Sequence, residues 1–265
     1  MTRAVLLAVV LAIGAGVASA APLTFVWPTT VAVEPSGSLL LVENGLGRLL
    51  RVDPTTGRVK QLAVLTKPYA VVRARTGSIF VTDGPTLKRI DGRKAPVTVA
   101  TASADIGPIA VSRGGSVFYS TDKAVFELVG GRGKPVRVAP KARLSAPHGL
   151  AVEADGHVLV SDTDHGRILR LDPRSGTVTT LARLAIPHGL AVAADGTIDV
   201  TSGALNRVIR LSRSGKQLGF VGGAFDDPYT LAIAPGGVVY VVESLQSGDV
   251  RRVAPDGTVT TVGTR

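Results

Sequence analysis

There is no cysteine anywhere in the 265 residues. That excludes disulfide staples, thiolate metal ligands, a cysteine nucleophile and lipid attachment through a thiol. Aromatic side chains make up 4% of the chain, too few for the stacking platforms that single-stranded nucleic acids require. No segment after the N-terminus sustains an apolar period of 3.6, which argues against a helical architecture. Also absent are a GxSxG elbow, an HExxH pair, a phosphate-cradling glycine loop leading into a helix, and EF-hand spacing.

What is present begins with an export-type N-terminus. Arg3 precedes an apolar run from Ala4 to Ala18, and Ala18-Ser19-Ala20 supplies the small-x-small pattern of a cleavage site. The run falls short of the ~20 residues that span a bilayer as a helix. We expect a signal peptide over 1–20 and a mature protein over 21–265. That protein would be secreted or held in the periplasm or cell envelope, with no stable membrane insertion. The net charge of +10 favours acidic partners. The expected partners are an extracellular protein, a glycan, an anionic wall polymer or a small-molecule substrate, and not nucleic acid. The densest cationic stretch is Arg132, Lys134, Arg137, Lys141 and Arg143, with no acid between Glu127 and Glu153. Cations in such a place also shield a sheet edge from unwanted pairing.

Internal repetition sets the organisation. PHGLAVEADGHVLVSD (147–162) and PHGLAVAADGTIDVTS (187–202) share most positions at an offset of 40. The same unit recurs from about 28, 68 and 228, with a weaker copy from 106. The turn glycines Gly37, Gly77, Gly115, Gly156, Gly196 and Gly237 are spaced by 40, 38, 41, 40 and 41 residues. Each copy holds four short apolar or alternating runs separated by turn residues such as Asp155-Gly156. Four strands per ~40 residues describe a propeller blade. The expected fold is all-β: a monomeric six-bladed β-propeller, four antiparallel strands per blade, with blades starting near 28, 68, 106, 147, 187 and 228. Leu23–Val26 or the C-terminal run 258–262 would close the ring.

With strands a to d named from the axis outward, the residues before strand a and after strand b share one face. The first layer is Thr29, Tyr69, Gly107, His148, His188 and Tyr229; the second is Glu43, Asp83, Thr121, Asp162, Ser202 and Glu243. His148 and His188 stand at the same place in adjacent blades. Such a pair suits a shared divalent metal (Zn, Ca or Mg), with nitrogens about 2.0–2.1 Å from a zinc, or acid–base work. Duplication of one blade would give the same pair without any function. Tyr69, Tyr229 and Asp162 are the candidate proton-transfer groups, and Glu43, Asp83, Asp164, His165 and Glu243 the candidate ligand contacts. An acid after strand b can also serve only to bind loop N–H groups. His157 falls in an a–b hairpin on the opposite face and reads as a surface residue.

The unit PHGLAV…DG…VSDTDHGRILRLDP resembles an NHL repeat, and the resemblance covers essentially the whole mature chain. It implies a propeller but no single activity, because the superfamily includes binding modules, sensors and enzymes. Among the enzymes, the amidating lyases imply a three-histidine zinc site with a tyrosine nearby; here two histidines align, with Tyr69 and Tyr229. The streptogramin-inactivating lyases imply seven blades and a glutamate after each PH blade. Here there are six blades, with Asp162 and Ser202 at those places. The gluconolactonase-like hydrolases imply a glutamate, an asparagine and an aspartate on the channel, a set that this sequence does not place. Two functions therefore stand: a binding module working through the channel mouth, or a metal-dependent lyase or lactone/ester hydrolase at the same place.

Overall fold

The computed structural model describes residues 23–243 and 248–264. The export signal expected over 1–20 lies outside the described residues. Six four-stranded antiparallel units span 28–64, 68–101, 109–138, 147–183, 187–221 and 228–264. Strand a of each packs on strand a of both neighbours, and the circle closes between the sixth and the first. The chain is thus a six-bladed β-propeller. Among the described residues, no helix is long and apolar enough to cross a membrane.

The apolar residues explain this arrangement. Strand b is buried along its whole length in five blades, as in Leu39–Glu43 and Val158–Asp162. It is covered on both faces by adjoining blades, so it reads as an apolar run rather than an alternation. Strand c is mixed: in Arg167–Leu171, Ile168, Leu169 and Leu171 are buried while Arg167 and Arg170 are half-buried. Strand d is mostly exposed, as in Val97–Thr101. The core is divided into six wedges, one per blade interface. Phe118, Val138, Leu150 and Val160 belong to the wedge between blades 3 and 4, for example, and Phe25, Leu41, Tyr240 and Val242 to that between blades 6 and 1. Each such side chain contributes about 1.5–3 kcal/mol on burial.

Both chain ends take part in closure. The sixth blade is complete from C-terminal residues, ending on Val259–Thr264. Leu23–Thr24 then adds a fifth, parallel strand outside it, in register Leu23 to Gly263 and Thr24 to Thr264. Phe25 N–H donates to Thr264 C=O at 2.7 Å, and the Phe25 ring is buried in the last wedge.

Candidate functional site at the channel mouth

Proline opens strand a in five blades, at Pro28, Pro68, Pro147, Pro187 and Pro228. A first-strand position suits a residue with no N–H to donate. The residue before four of these prolines takes a left-handed backbone: Trp27 (φ 52), Ala146 (φ 48), Ile186 (φ 44) and Asp227 (φ 45). Left-handed backbone costs a non-glycine residue roughly 1–2 kcal/mol, so something must hold it.

The acids after strand b do so in blades 1, 4 and 6, and Asp83 binds the equivalent loop of blade 2, where Lys67 is not left-handed. Glu43 accepts from Val26 N–H at 2.6 Å and from Arg48 Nε at 2.5 Å. Asp83 accepts from Thr66 N–H (2.8 Å), Lys67 N–H (2.6 Å) and Lys88 Nζ (2.6 Å). Asp162 accepts from Ser145 N–H at 2.8 Å and Arg167 Nε at 2.7 Å. Glu243 accepts from Asp226 N–H at 3.0 Å and Arg251 Nε at 2.9 Å. Ser202 substitutes in blade 5, donating its hydroxyl to Ala185 C=O at 2.6 Å. Each of the four acids forms a latch that ties the incoming loop to strand c of its own blade, whereas Ser202 ties its loop to the b–c loop by accepting from Leu205 N–H at 3.3 Å. Burial works to raise the Asp83 carboxyl, but the Lys67 N–H and the Lys88 ammonium outweigh it and hold it below the ordinary aspartate value.

The four latch carboxylates line neither the channel nor the cavity above it. His165, half-exposed, sets its Nδ1 2.9 Å from Asp162 Oδ2, and Asp164 accepts from Ser145 Oγ at 2.8 Å. Of the residues expected to act on a ligand, Glu43, Asp83, Asp162, Asp164, His165 and Glu243 are therefore engaged in loop and latch bonds. Four others come together on the axis: Tyr69, His148, His188 and Tyr229.

These four form a plate across the channel. The His148 and His188 ring centroids are 5.2 Å apart, and Tyr229 lies 5.6 Å from the first and 5.2 Å from the second. Tyr69 meets Tyr229 edge-on from across the ring, their hydroxyl oxygens 2.5 Å apart. The glycine in each PHG makes this closeness feasible. A Cβ on Gly149 would stand 2.4 Å from His188 C=O, and one on Gly189 would stand 2.7 Å from Thr230 Cα. Thr201 Oγ1, donating to Tyr229 C=O at 3.0 Å, and Thr230 Oγ1, donating to Thr29 C=O at 2.9 Å, stitch neighbouring blades at the same level.

Electrostatics keep the plate neutral near pH 7. Burial lowers the His148 pKa and the adjoining His188 lowers it further, against opposition from Asp164 and Asp122. Burial likewise lowers His188, opposed by Asp227. Burial pushes the Tyr69 phenol well up, and Tyr229 adds to that. Burial also raises Tyr229. Both imidazole Nδ1 atoms are buried without a hydrogen-bond partner among the described residues.

Below the plate runs an axial channel of 350 Å³ walled by strand a of all six blades, with Arg73 among its lining. Above it lies an eccentric cavity of 220 Å³ whose lining includes Lys67, Tyr69, Asp105, Gly107, Asp122, His148 and Tyr229. Its off-centre position follows from Gly107, the one plate-level residue without a side chain. A Cβ there would meet nothing nearer than 3.5 Å. The rim is divided. Exposed Trp27, Leu46, Ile186 and Leu205 stand over blades 1 and 5, while Asp105, Asp122 and Asp164 stand over blades 2 to 4.

The metal expectation fits the mouth poorly. Among the described residues, the one group of three ligand types within 4.8 Å of each other is Glu153, Asp155 and His157, on the opposite face. Its carboxylates are already engaged: Glu153 accepts from Arg170 at 2.5 and 2.8 Å, and Asp155 pairs with Arg213. Among the described residues, His148 and His188 offer two imidazoles without a third protein ligand of those types beside them.

The residues that sequence reasoning passed over are the latch cations and the cavity walls. The cations had a signal, standing five residues after the acid at Glu43/Arg48, Asp83/Lys88 and Asp162/Arg167. Asn44, Lys67 and Asp105 had none.

Residues 144–171 match the NHL repeat family. No curated protein matches the chain in sequence. Solved structures resemble it at low identity. Virginiamycin B lyase from Staphylococcus aureus is 13% identical with a TM-score of 0.71, covering 89% of this chain and 84% of that one. A gluconolactonase from Xanthomonas campestris is 16% identical with a TM-score of 0.72, covering 84% and 85%. A chain of a nidogen/laminin complex is 14% identical with a TM-score of 0.72, covering 82% and 90%. One NHL repeat, at 144–171, thus lies within a chain whose blade topology, shared with these structures, is that of a six-bladed β-propeller.

Proposed function

We propose that the protein is an exported ligand-binding propeller whose mouth cavity takes a small polar molecule on the floor formed by Tyr69, His148 and Tyr229. The observation that carries this is a 220 Å³ cavity whose lining brings Tyr69, His148 and Tyr229 together with Lys67, Asp105 and Asp122. The apolar rim at Trp27, Leu46, Ile186 and Leu205 gives a nonpolar portion of the ligand a seat. Export rests on the N-terminal pattern over 1–20. Of the three similar structures named above, two are enzymes, a lyase and a gluconolactonase, and one is a protein complex. The cavity is sized for a small molecule rather than a protein surface.

A thermal-shift panel of sugar acids, lactones, amines and short peptides tests this on the wild type and on Gly107→Phe, whose ring fills the cavity. A compound that raises the wild-type Tm and leaves the variant unmoved supports the reading. No shift with any compound, or equal shifts in both proteins, overturns it.

A second reading, catalysis at the same place, is favoured by one observation: neutral imidazoles beside a protonated phenol. His148 or His188 would accept a proton from a substrate or water while Tyr229 returned one to the leaving oxygen, as in lactone hydrolysis or an elimination. No step is drawn through a metal, because the donor set is incomplete. Turnover of a lactone or lyase substrate, lost in His148→Ala/His188→Ala, would establish it. Elemental analysis of both proteins is expected to show no bound divalent ion.

A further inference from the structure

The outer edge of blade 3 carries exposed charges of one sign only. Between Val129 and Arg143 the chain makes a glycine-rich 3-10 turn (Val129–Gly131), a short outer strand (Val136–Val138) and a loop that climbs to the mouth at Pro147. Arg132, Lys134, Arg137, Lys141 and Arg143 are all exposed along it, and no acid occurs from 128 to 152. None of the five belongs to an ion pair among the described residues, whereas on strand c Arg48, Arg51, Lys88, Arg167, Arg170, Arg210 and Arg251 are each paired with a carboxylate. The nearest acid of the same blade, Glu127, stands opposite Val136 in register and borders the groove on the lower face.

We propose that this edge binds a linear polyanion, a polymer carrying repeated phosphate groups, laid along the blade from its lower turn to the mouth. Five cations within twelve residues form a line rather than a disc, on the convex rim of a propeller. A flexible charged chain can follow such a rim, whereas a flat lipid surface would meet only a few of the charges at once. The segment 129–143 holds no aromatic residue, so a nucleic acid would find no stacking platform there. Each cation that neutralises a phosphate releases a condensed counterion, so affinity must fall steeply with salt. This surface is separate from the mouth cavity and does not depend on what binds there.

The test measures binding of long-chain inorganic polyphosphate to the full mature chain. It compares the wild type with Arg132→Gln/Lys134→Gln/Arg137→Gln and with a control of equal charge change elsewhere, Arg58→Gln/Lys60→Gln/Lys94→Gln. Matching far-UV circular dichroism establishes that all three are folded. The proposal predicts salt-sensitive binding that falls at least about tenfold in the edge variant and less than about threefold in the control. Equal losses in both variants would mean that net charge alone is sensed. Absent binding, tighter binding to vesicles of anionic lipid than to polyphosphate, or a preference for single-stranded DNA at equal phosphate would each overturn it.

Discussion

Blade 4 enters its inner strand through Pro147 and His148, ends strand b on Asp162 and starts strand c on Arg167. Blade 3 has Ile106 and Gly107, Thr121 and Ala124 at the corresponding places. Blade 4 keeps the full latch and a six-residue strand a, while strand a of blade 3 shrinks to Ile109–Val111 and its outer strand to Val136–Val138. Both close the same kind of four-stranded sheet. The latch is therefore dispensable for blade topology. It holds a strained loop in place where a plate side chain must be aimed. Where the plate residue is glycine, the latch is missing, a cavity opens, and the edge carries unpaired cations. Departures from the repeat mark the places with something other than closure to do.

The comparison breaks most visibly in stability. Asp162→Ala strips Arg167 and Ser145 N–H of a buried partner, and should cost about 3–5 kcal/mol by urea unfolding. Thr121→Ala, at the same place in blade 3, should stay within about 0.5 kcal/mol. Equal costs would refute the distinction between latched and unlatched blades. Next in size, Gly149→Ala drives a methyl toward His188 C=O and should cost about 1–3 kcal/mol, while Gly107→Ala should be nearly neutral.

Acidification sharpens the contrast further. The folded-state pKa values of His148 and His188 lie below the ordinary histidine value, so the unfolded chain takes up protons first as pH falls. Their contribution is complete above about pH 6.5 and is lost below it, by at most about 1.4 kcal/mol per pH unit per histidine. Asp83 has a depressed pKa too, and its share is lost only below about pH 3.9. Unfolding free energies between pH 7.5 and 5 should therefore fall in the wild type and flatten in His148→Gln/His188→Gln. The smallest effect is expected from Tyr69→Phe, which removes one hydrogen bond across the ring and should cost about 1 kcal/mol.

Much of this was legible in the residues. Repeat period, turn glycines and apolar runs specified six blades because each blade must bury both faces of strand b, and that requirement is written locally. The alignment of Tyr69, His148, His188 and Tyr229 followed from the same register. Their mutual distances did not, since the 5.2 Å between imidazoles depends on how closely Gly149 lets two inner strands approach. Latch carboxylates and ligand-facing carboxylates are the same residue type at the same repeat position. Only the hydrogen bonds to Val26, Thr66, Ser145 and Asp226 tell them apart. The closing strand was ambiguous from the sequence because both termini carry short β-forming runs, and both turned out to be used, side by side.

The most direct test of the central claim is a crystallographic fragment soak of the mature protein. The account predicts fragments seated above the plate, in contact with Tyr69, His148 and Tyr229 and within reach of Gly107. Fragments found only in the lower-face groove beside Phe118, Glu127 and His157, with the mouth holding none, would contradict it.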